Sequence, residues 1–164
     1  MNKKILIIGH SRHGKDTVAE LISKNIGLTF KSSSKMAAML FIYDILKHTK
    51  DYNSFEECYL DRHNNRELWH NMICEYNKKD PSKLAKDILK YNDMYVGMRS
   101  NKELLECKKQ GLFDYIIGVF DPNKPLENKD SFNINIWKHS DFIIPTGNIN
   151  EVKEKVNKIC KLLI

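Results

Sequence analysis

Two glycines and a lysine near the start of the chain, Gly9, Gly14 and Lys15, stand at the spacing G-x-x-x-x-G-K. That spacing suits the holding of phosphate, because glycines let the backbone curl with successive N–H groups pointing inward while the lysine adds charge for the outer phosphates. The candidate phosphate ligands are therefore Gly9, His10, Ser11, Arg12, His13, Gly14, Lys15, Asp16 and Thr17. The usual pattern places Ser or Thr directly after the lysine, where its hydroxyl meets magnesium. Here Asp16 comes first and Thr17 second, so both are candidates for the metal and neither matches the usual pattern. A strand-to-helix turn without a ligand can share this spacing, and the flanks decide against it. Ile5, Leu6, Ile7 and Ile8 form an all-aliphatic strand before the loop, and Val18, Leu21, Ile22 and Ile26 lie on one face of a helix after it.

Further residues able to do chemistry sit where other strands and helices end. Residues 28–31 read as a short strand running into Ser32, Ser33 and Ser34, which can cap a helix striped with Met36, Met39, Leu40, Tyr43 and Leu46. Spare backbone N–H groups beside those serines make Ser33 and Ser34 candidates for the acceptor side. In DRHNNRELWHNMICEYNKKDP, Leu68, Trp69, Met72, Ile73 and Tyr76 make one apolar arc, with Arg66 at its edge and Arg62 a turn earlier. Such arginines can reach into a cleft; a surface ion pair with Glu67 or Asp61 is the plain alternative. Residues 82–90 read as a helix, residues 93–98 as a strand ending at Arg99, and Tyr115–Phe120 as a buried strand ending at Asp121. Residues 123–133 are polar and aperiodic, the best candidate for a lid, with Lys124 and Lys129 as its cations. A short apolar run at 142–144 ends near Thr146, and a helix bearing Val152, Val156, Ile159, Cys160 and Leu163 closes the chain.

Strands alternating with helices predict an α/β fold, a roughly five-stranded parallel sheet covered on both faces. Ligands in such sheets bind at the carboxyl ends of the strands. Gly9, Ser32, Arg99, Asp121 and Thr146 all follow predicted strands, so five strand ends converge on one edge. At 164 residues, 41% hydrophobic and 29% charged, the chain is expected to form one domain, residues 1–164. No apolar run approaches a membrane span, and the first residues are committed to the strand that carries the loop, which argues against a leader. Cys58, Cys74, Cys107 and Cys160 show no metal-ligand spacing and suit free thiols in a reducing cytoplasm. The net charge of +6 suits an anionic partner, though lysines spread along helices also make an ordinary solvated surface. The oligomeric state stays open, a homodimer included.

The blocks GHSRHGKDT (9–17), FKSSSKMAA (30–38), DRHNNRELWHNMICEYNKKD (61–80), MYVGMRSNKELL (94–105) and DYIIGVFD (114–121) cover most of the chain. Together they resemble the P-loop nucleotide kinases, and within them small phage enzymes acting on deoxynucleoside monophosphates. YVGMRS and DR-x-x-x-R-x-x-W also look like a related branch, phage kinases that phosphorylate hydroxymethyluracil in DNA. The resemblance implies a P-loop kinase fold, ATP as phosphoryl donor, magnesium, no membrane, and an acceptor held by Ser33, Ser34, Arg62, Arg66, Trp69 and Arg99. It makes Lys15, Asp16, Asp61, Arg66 and Arg99 the catalytic candidates. Lids of such kinases tend to carry arginine, whose bidentate fork lysine lacks. Arg12, Arg62, Arg66 and Arg99 are then the arginines available for the transferred group.

Two acceptors place different demands on the site. A nucleoside monophosphate brings an anionic nucleophile and needs no base, whereas a hydroxymethyl group must lose a proton, for which Asp16 or Asp61 is the candidate. A nucleotide-binding switch or NTPase with no acceptor is the alternative from another class. Asp16 in place of the usual hydroxyl, the clustered arginines and the 123–133 segment favour the kinase.

Overall fold

The computed structural model describes residues 2–164. Strand β1 is Ile5–Ile8, β2 Phe30–Ser32, β3 Met94–Val96, β4 Tyr115–Phe120 and β5 Phe142–Pro145. They form one sheet in the order β2-β3-β1-β4-β5, and every neighbouring pair is parallel. Ile7 pairs with Val96 on one side and Ile117 on the other, so β1 lies at the centre. Its aliphatic run has a simple cause: both faces of the strand are covered. Leu6 and Ile8 enter one core with Met36, Ile42, Trp69, Leu84, Tyr95 and Leu104. Ile5 and Ile7 enter the other with Val18, Ile22, Met94, Ile117, Val152 and Val156. Each such fully buried aliphatic side chain contributes about 1.5–3 kcal/mol through removal from water.

Helix α1, Lys15–Ile26, starts at Gly14 and stops at Gly27, both in the left-handed region where glycine carries no steric penalty. With the closing helix α9, Ile149–Leu163, it covers one face of the sheet. Asn148 caps α9 by accepting from the backbone N–H groups of Asn150 and Glu151. The other face carries α2 (Ser33–Ala37), α3 (Tyr43–Leu46), α4 (Phe55–Leu60), α5 (Arg66–Tyr76), α6 (Lys83–Leu89), α7 (Asn101–Lys109) and the short α8 (Ile136–His139). No helix among the described residues is long and apolar enough to cross a membrane.

Two departures from the periodicity reading concern residues 33–76. The helix expected after Ser34 as one regular stripe contains a π turn, Ala38–Ile42, between α2 and α3. The extra residue in that turn shifts the phase, so Ala38 and Ile42 are buried while Met39 is half exposed. On α5 the expected apolar arc is buried fully only at Trp69, with Leu68 at the surface. A 3-10 turn, Asp61–Asn64, separates α4 from α5 and places Arg62 outside the helix that carries Arg66.

Candidate active site

The loop Gly9–Gly14 leaves the carboxyl end of β1 and turns into the amino end of α1, so its backbone N–H groups and the positive end of the helix dipole face the same edge of the sheet. It is braced from below. The Thr146 hydroxyl at the end of β5 donates to the His13 carbonyl at 2.6 Å. The His13 ring, expected among the phosphate ligands, is fully buried instead: its Nδ1 accepts from the Asp121 N–H at 3.0 Å and its Nε2 donates to the Pro125 carbonyl at 3.1 Å. Accepting at Nδ1 leaves the proton on Nε2, so the ring is a strut joining the loop, the end of β4 and the 123–133 segment. Arg12 sits at the crest of the loop with φ of 62°, exposed to solvent.

The ammonium of Lys15 folds back on its own loop and donates to the His10 carbonyl at 2.8 Å. Burial, followed by the nearby charge of Arg99, pushes its pKa down to about 8. The His10 ring packs on Phe132 with centroids 4.3 Å apart, and its Nδ1 accepts from the Glu127 N–H at 3.0 Å. Burial and the adjoining His13 lower the His10 pKa, which keeps that nitrogen free to accept. The carboxylate of Glu127 lies over the loop. Its Oε2 accepts from the Ser11 N–H at 2.8 Å, and its Oε1 meets the Arg99 guanidinium at 2.5 Å. Burial alone would raise the Glu127 pKa; the hydrogen bond and charge of Arg99 more than offset it, and the net shift is downward.

Lys15 and Ser33 flank Gly97, which ends β3 at φ of +101°. A Cβ there would stand 2.9 Å from Ser33 Oγ and 3.8 Å from Lys15 Cε. This glycine is required both by its dihedral and by the close approach of Ser33 and Lys15. From Ser33 the polar surface continues outward. Ser32 Oγ is 3.4 Å from Ser34 Oγ and 3.3 Å from the Tyr59 hydroxyl. The Arg62 guanidinium stacks 3.8 Å above the Tyr59 ring and donates to the Tyr59 carbonyl at 2.8 Å. Lys35 lies over the same ring at 5.7 Å. Trp69 stands behind, 6.4 Å from Tyr59 between ring centroids, and its buried Nε1 has no hydrogen-bond partner among the described residues. The result is an aromatic wall faced with cations, next to the serines.

The structure thus gathers Ser11, Lys15, Ser33 and Arg99 around the mouth of the loop, with Ser34, Arg62 and Trp69 linked to them through Ser32 and Tyr59. Arg66 is exposed at the first position of α5, and Lys124 and Lys129 are exposed on the 123–133 segment. Asp61, a candidate base, is instead knotted into its own turn. It accepts from the Tyr52 hydroxyl at 2.6 Å and from the Asn64 and Asn65 side-chain amides at 2.9 and 2.7 Å. Those bonds, the Tyr52 one foremost, lower its pKa and make it a poor proton acceptor. Glu127, Gly97 and Tyr59 were not singled out from sequence. The sign of Gly97 was legible, a glycine two residues before Arg99 at a strand end; Glu127 carried no comparable sign within an aperiodic segment.

Asp16 and Thr17 are exposed side by side in the first turn of α1, next to Lys15. Hard oxygen donors in this number fit magnesium, which takes one or two protein oxygens and completes its shell with phosphate oxygens and water. No trio of His, Cys, Asp or Glu side chains gathers as a metal site elsewhere among the described residues.

Five parallel strands in this order, with the glycine loop after β1 leading into α1, are the P-loop kinase fold. A shikimate kinase from Acinetobacter baumannii in complex with shikimate matches it with a TM-score of 0.54 and 13% identity, over 99% of this chain and 93% of that one. A shikimate kinase from Bacteroides thetaiotaomicron gives 0.48 and 12% identity over 98% of each chain. No family model matches the chain, and no curated protein matches it in sequence.

Proposed function

We propose that the chain is an ATP-dependent phosphotransferase whose acceptor is a nucleoside monophosphate. The observation that carries this reading is that Ser11 N–H and Arg99 meet on a single carboxylate, that of Glu127, beside Lys15, whose stem and Ser33 approach Gly97. Phosphoryl transfer needs such positioning and neutralisation of charge far more than covalent chemistry by the protein. ATP lies with its phosphates along loop 9–17. Lys15 swings off the His10 carbonyl to meet the outer phosphates, and Arg99 neutralises the transferred group. Asp16 and Thr17 would hold the magnesium, which when bound offsets charge on the phosphate oxygens.

The acceptor lies against Ser33, Ser34 and Arg62, with Tyr59 beneath Arg62 and the buried Trp69 backing it. The cations over Tyr59, Arg62 and Lys35, suit an acceptor phosphate. Of the two acceptors implied by the family resemblance, a free monophosphate is favoured over a hydroxymethyl group in DNA. The alcohol needs a base: Asp61 is occupied by Tyr52, Asn64 and Asn65, and Asp16, the other candidate, is assigned to the magnesium. The shikimate kinase from Acinetobacter baumannii, similar in fold, is in complex with the small molecule shikimate, which supports a small-molecule acceptor here.

The test is an acceptor screen with γ-labelled ATP and magnesium, comparing the four deoxynucleoside monophosphates with hydroxymethyluracil-containing duplex DNA. Label is expected in a nucleoside diphosphate. Label in DNA alone would move the reading to the hydroxymethyl acceptor, and absence of transfer to every acceptor by folded protein would reject it.

A further inference from the structure

The loop already grips an anion, and the anion belongs to the chain. Glu127 uses one carboxylate oxygen on the Ser11 N–H at 2.8 Å and the other on Arg99 at 2.5 Å, with Lys15 close enough to help hold it charged. Its backbone is held as well, by donation of its N–H to His10 Nδ1 at 3.0 Å. Each of these carboxylate partners is a donor of the kind that meets a phosphate oxygen, and the two oxygens of a carboxylate span it much as two oxygens of a phosphoryl group would. One backbone N–H and one guanidinium cannot serve both anions at full strength, and like charges held against each other at that distance repel. The segment is pinned separately at Pro125, whose carbonyl accepts from the buried His13 at 3.1 Å. Glu127 can therefore swing away while the root of the segment stays in place.

We propose that Glu127 is an internal competitor for the phosphate site: its carboxylate occupies the Ser11 and Arg99 donors in the free protein and must leave before a polyphosphate takes them. This rests on the reading of loop 9–17 as a phosphate site. The consequence is a threshold. The apparent affinity of any phosphate ligand is reduced by the fraction of molecules in which Glu127 is seated, and a ligand with several charged groups displaces it more readily than one with few. The segment 123–133 then reports occupancy of the loop, closed by its own carboxylate when empty and released when filled.

The test is calorimetric titration of inorganic tripolyphosphate, without added metal, into wild type, Glu127→Gln, Glu127→Ala, Asp130→Asn and Lys15→Met. Glu127→Gln keeps the shape of the side chain and secures a folded variant should Glu127→Ala prove unstable. Both Glu127 variants are expected to bind at least about fivefold tighter than wild type, since the competing charge is gone. Asp130→Asn removes the same charge from an exposed position of the same segment and is expected to bind like wild type. Equal or weaker binding by folded Glu127→Gln would overturn the proposal, as would an equal gain in Asp130→Asn, which would reduce the effect to net charge. The phosphate-site reading fails separately: undiminished binding by Lys15→Met, or no binding by any form, would reject the loop itself.

Discussion

Lys15 is held in the free protein at a cost, and replacing it should make the protein more stable while abolishing transfer. Its pKa falls from 10.5 to about 8, which corresponds to about 3 kcal/mol of unfavourable charging on folding. Lys15→Met keeps the apolar stem and deletes the charge. It also deletes the hydrogen bond to the His10 carbonyl, and such a bond contributes about 1 kcal/mol. The expected net gain is then about 2 kcal/mol, a rise in Tm of roughly 4–8 °C for a chain of this size. The pH dependence gives the sharper signature. A lysine with a depressed folded pKa penalises the native state fully below pH 8, where both states are charged, and the penalty fades as pH rises through the unfolded value of 10.5. The stability difference between Lys15→Met and wild type should therefore be largest at neutral pH and shrink steadily between pH 8 and 10.5. Other groups that titrate there cancel in the difference. Chemical denaturation of both proteins across that range is the assay, with transfer from labelled ATP measured in parallel. A destabilised Lys15→Met at pH 7, or a difference that does not change with alkaline pH, would refute the claim that the buried charge is the source of the cost.

Arg99→Lys should lower turnover at least about tenfold, because the charge survives and the planar fork does not; the same change at exposed Arg66 should cost less, and equal kinetics in both would remove Arg99 from the site. Asp16→Asn should lower turnover, with partial recovery at raised magnesium. Full turnover and only a small fall in Tm would leave Asp16 as a favourable first-turn charge worth about 0.3–1 kcal/mol. Glu103, buried beside the Tyr95 hydroxyl that donates to it at 2.9 Å, has its pKa raised to about 7 by burial. A carboxyl with a raised folded pKa favours the native state while it stays protonated. Glu103→Gln should therefore match wild type near pH 4.5, gain on it as pH rises to 7, and remain about 1–3 kcal/mol more stable above that. A constant difference across pH in denaturant melts would exclude the carboxyl as its source.

How much of this was legible in the sequence depended on whether the cause was local. Ile5–Ile8 read as a buried parallel strand because burial on both faces removes the alternation a half-exposed strand would show. Gly14, Lys15 and the stripe of α1 follow directly, and they carried the fold and the phosphate loop together. The acceptor side was harder. The π turn at Ala38–Ile42 breaks the 3.6-residue period on which the stripe of Met36 and Leu46 was read, and the 3-10 turn at Asp61–Asn64 rotates Arg62 away from Arg66. The approach of Ser33 and Lys15 to Gly97 depends on β2, β3 and β1 lying side by side, a matter of strand order that no single stretch contains. Glu127 reaches Ser11 from 116 positions away. No local pattern announces such a pairing, since an acid in an aperiodic polar segment looks the same whether it faces water or a phosphate loop.

The central strand also sets how the loop is mounted in time. β1 sends Leu6 and Ile8 into one core and Ile5 and Ile7 into the other, and it is paired on both edges. Its amide protons can meet solvent only when both halves of the molecule come apart, so their exchange should follow whole-molecule unfolding, and the largely exposed 123–133 segment is expected to exchange faster. The loop 9–14 is thus joined directly to the strand expected to exchange most slowly. On the proposed reading, nucleotide would come and go many times for each occasion on which the backbone that receives it lets go of a single proton.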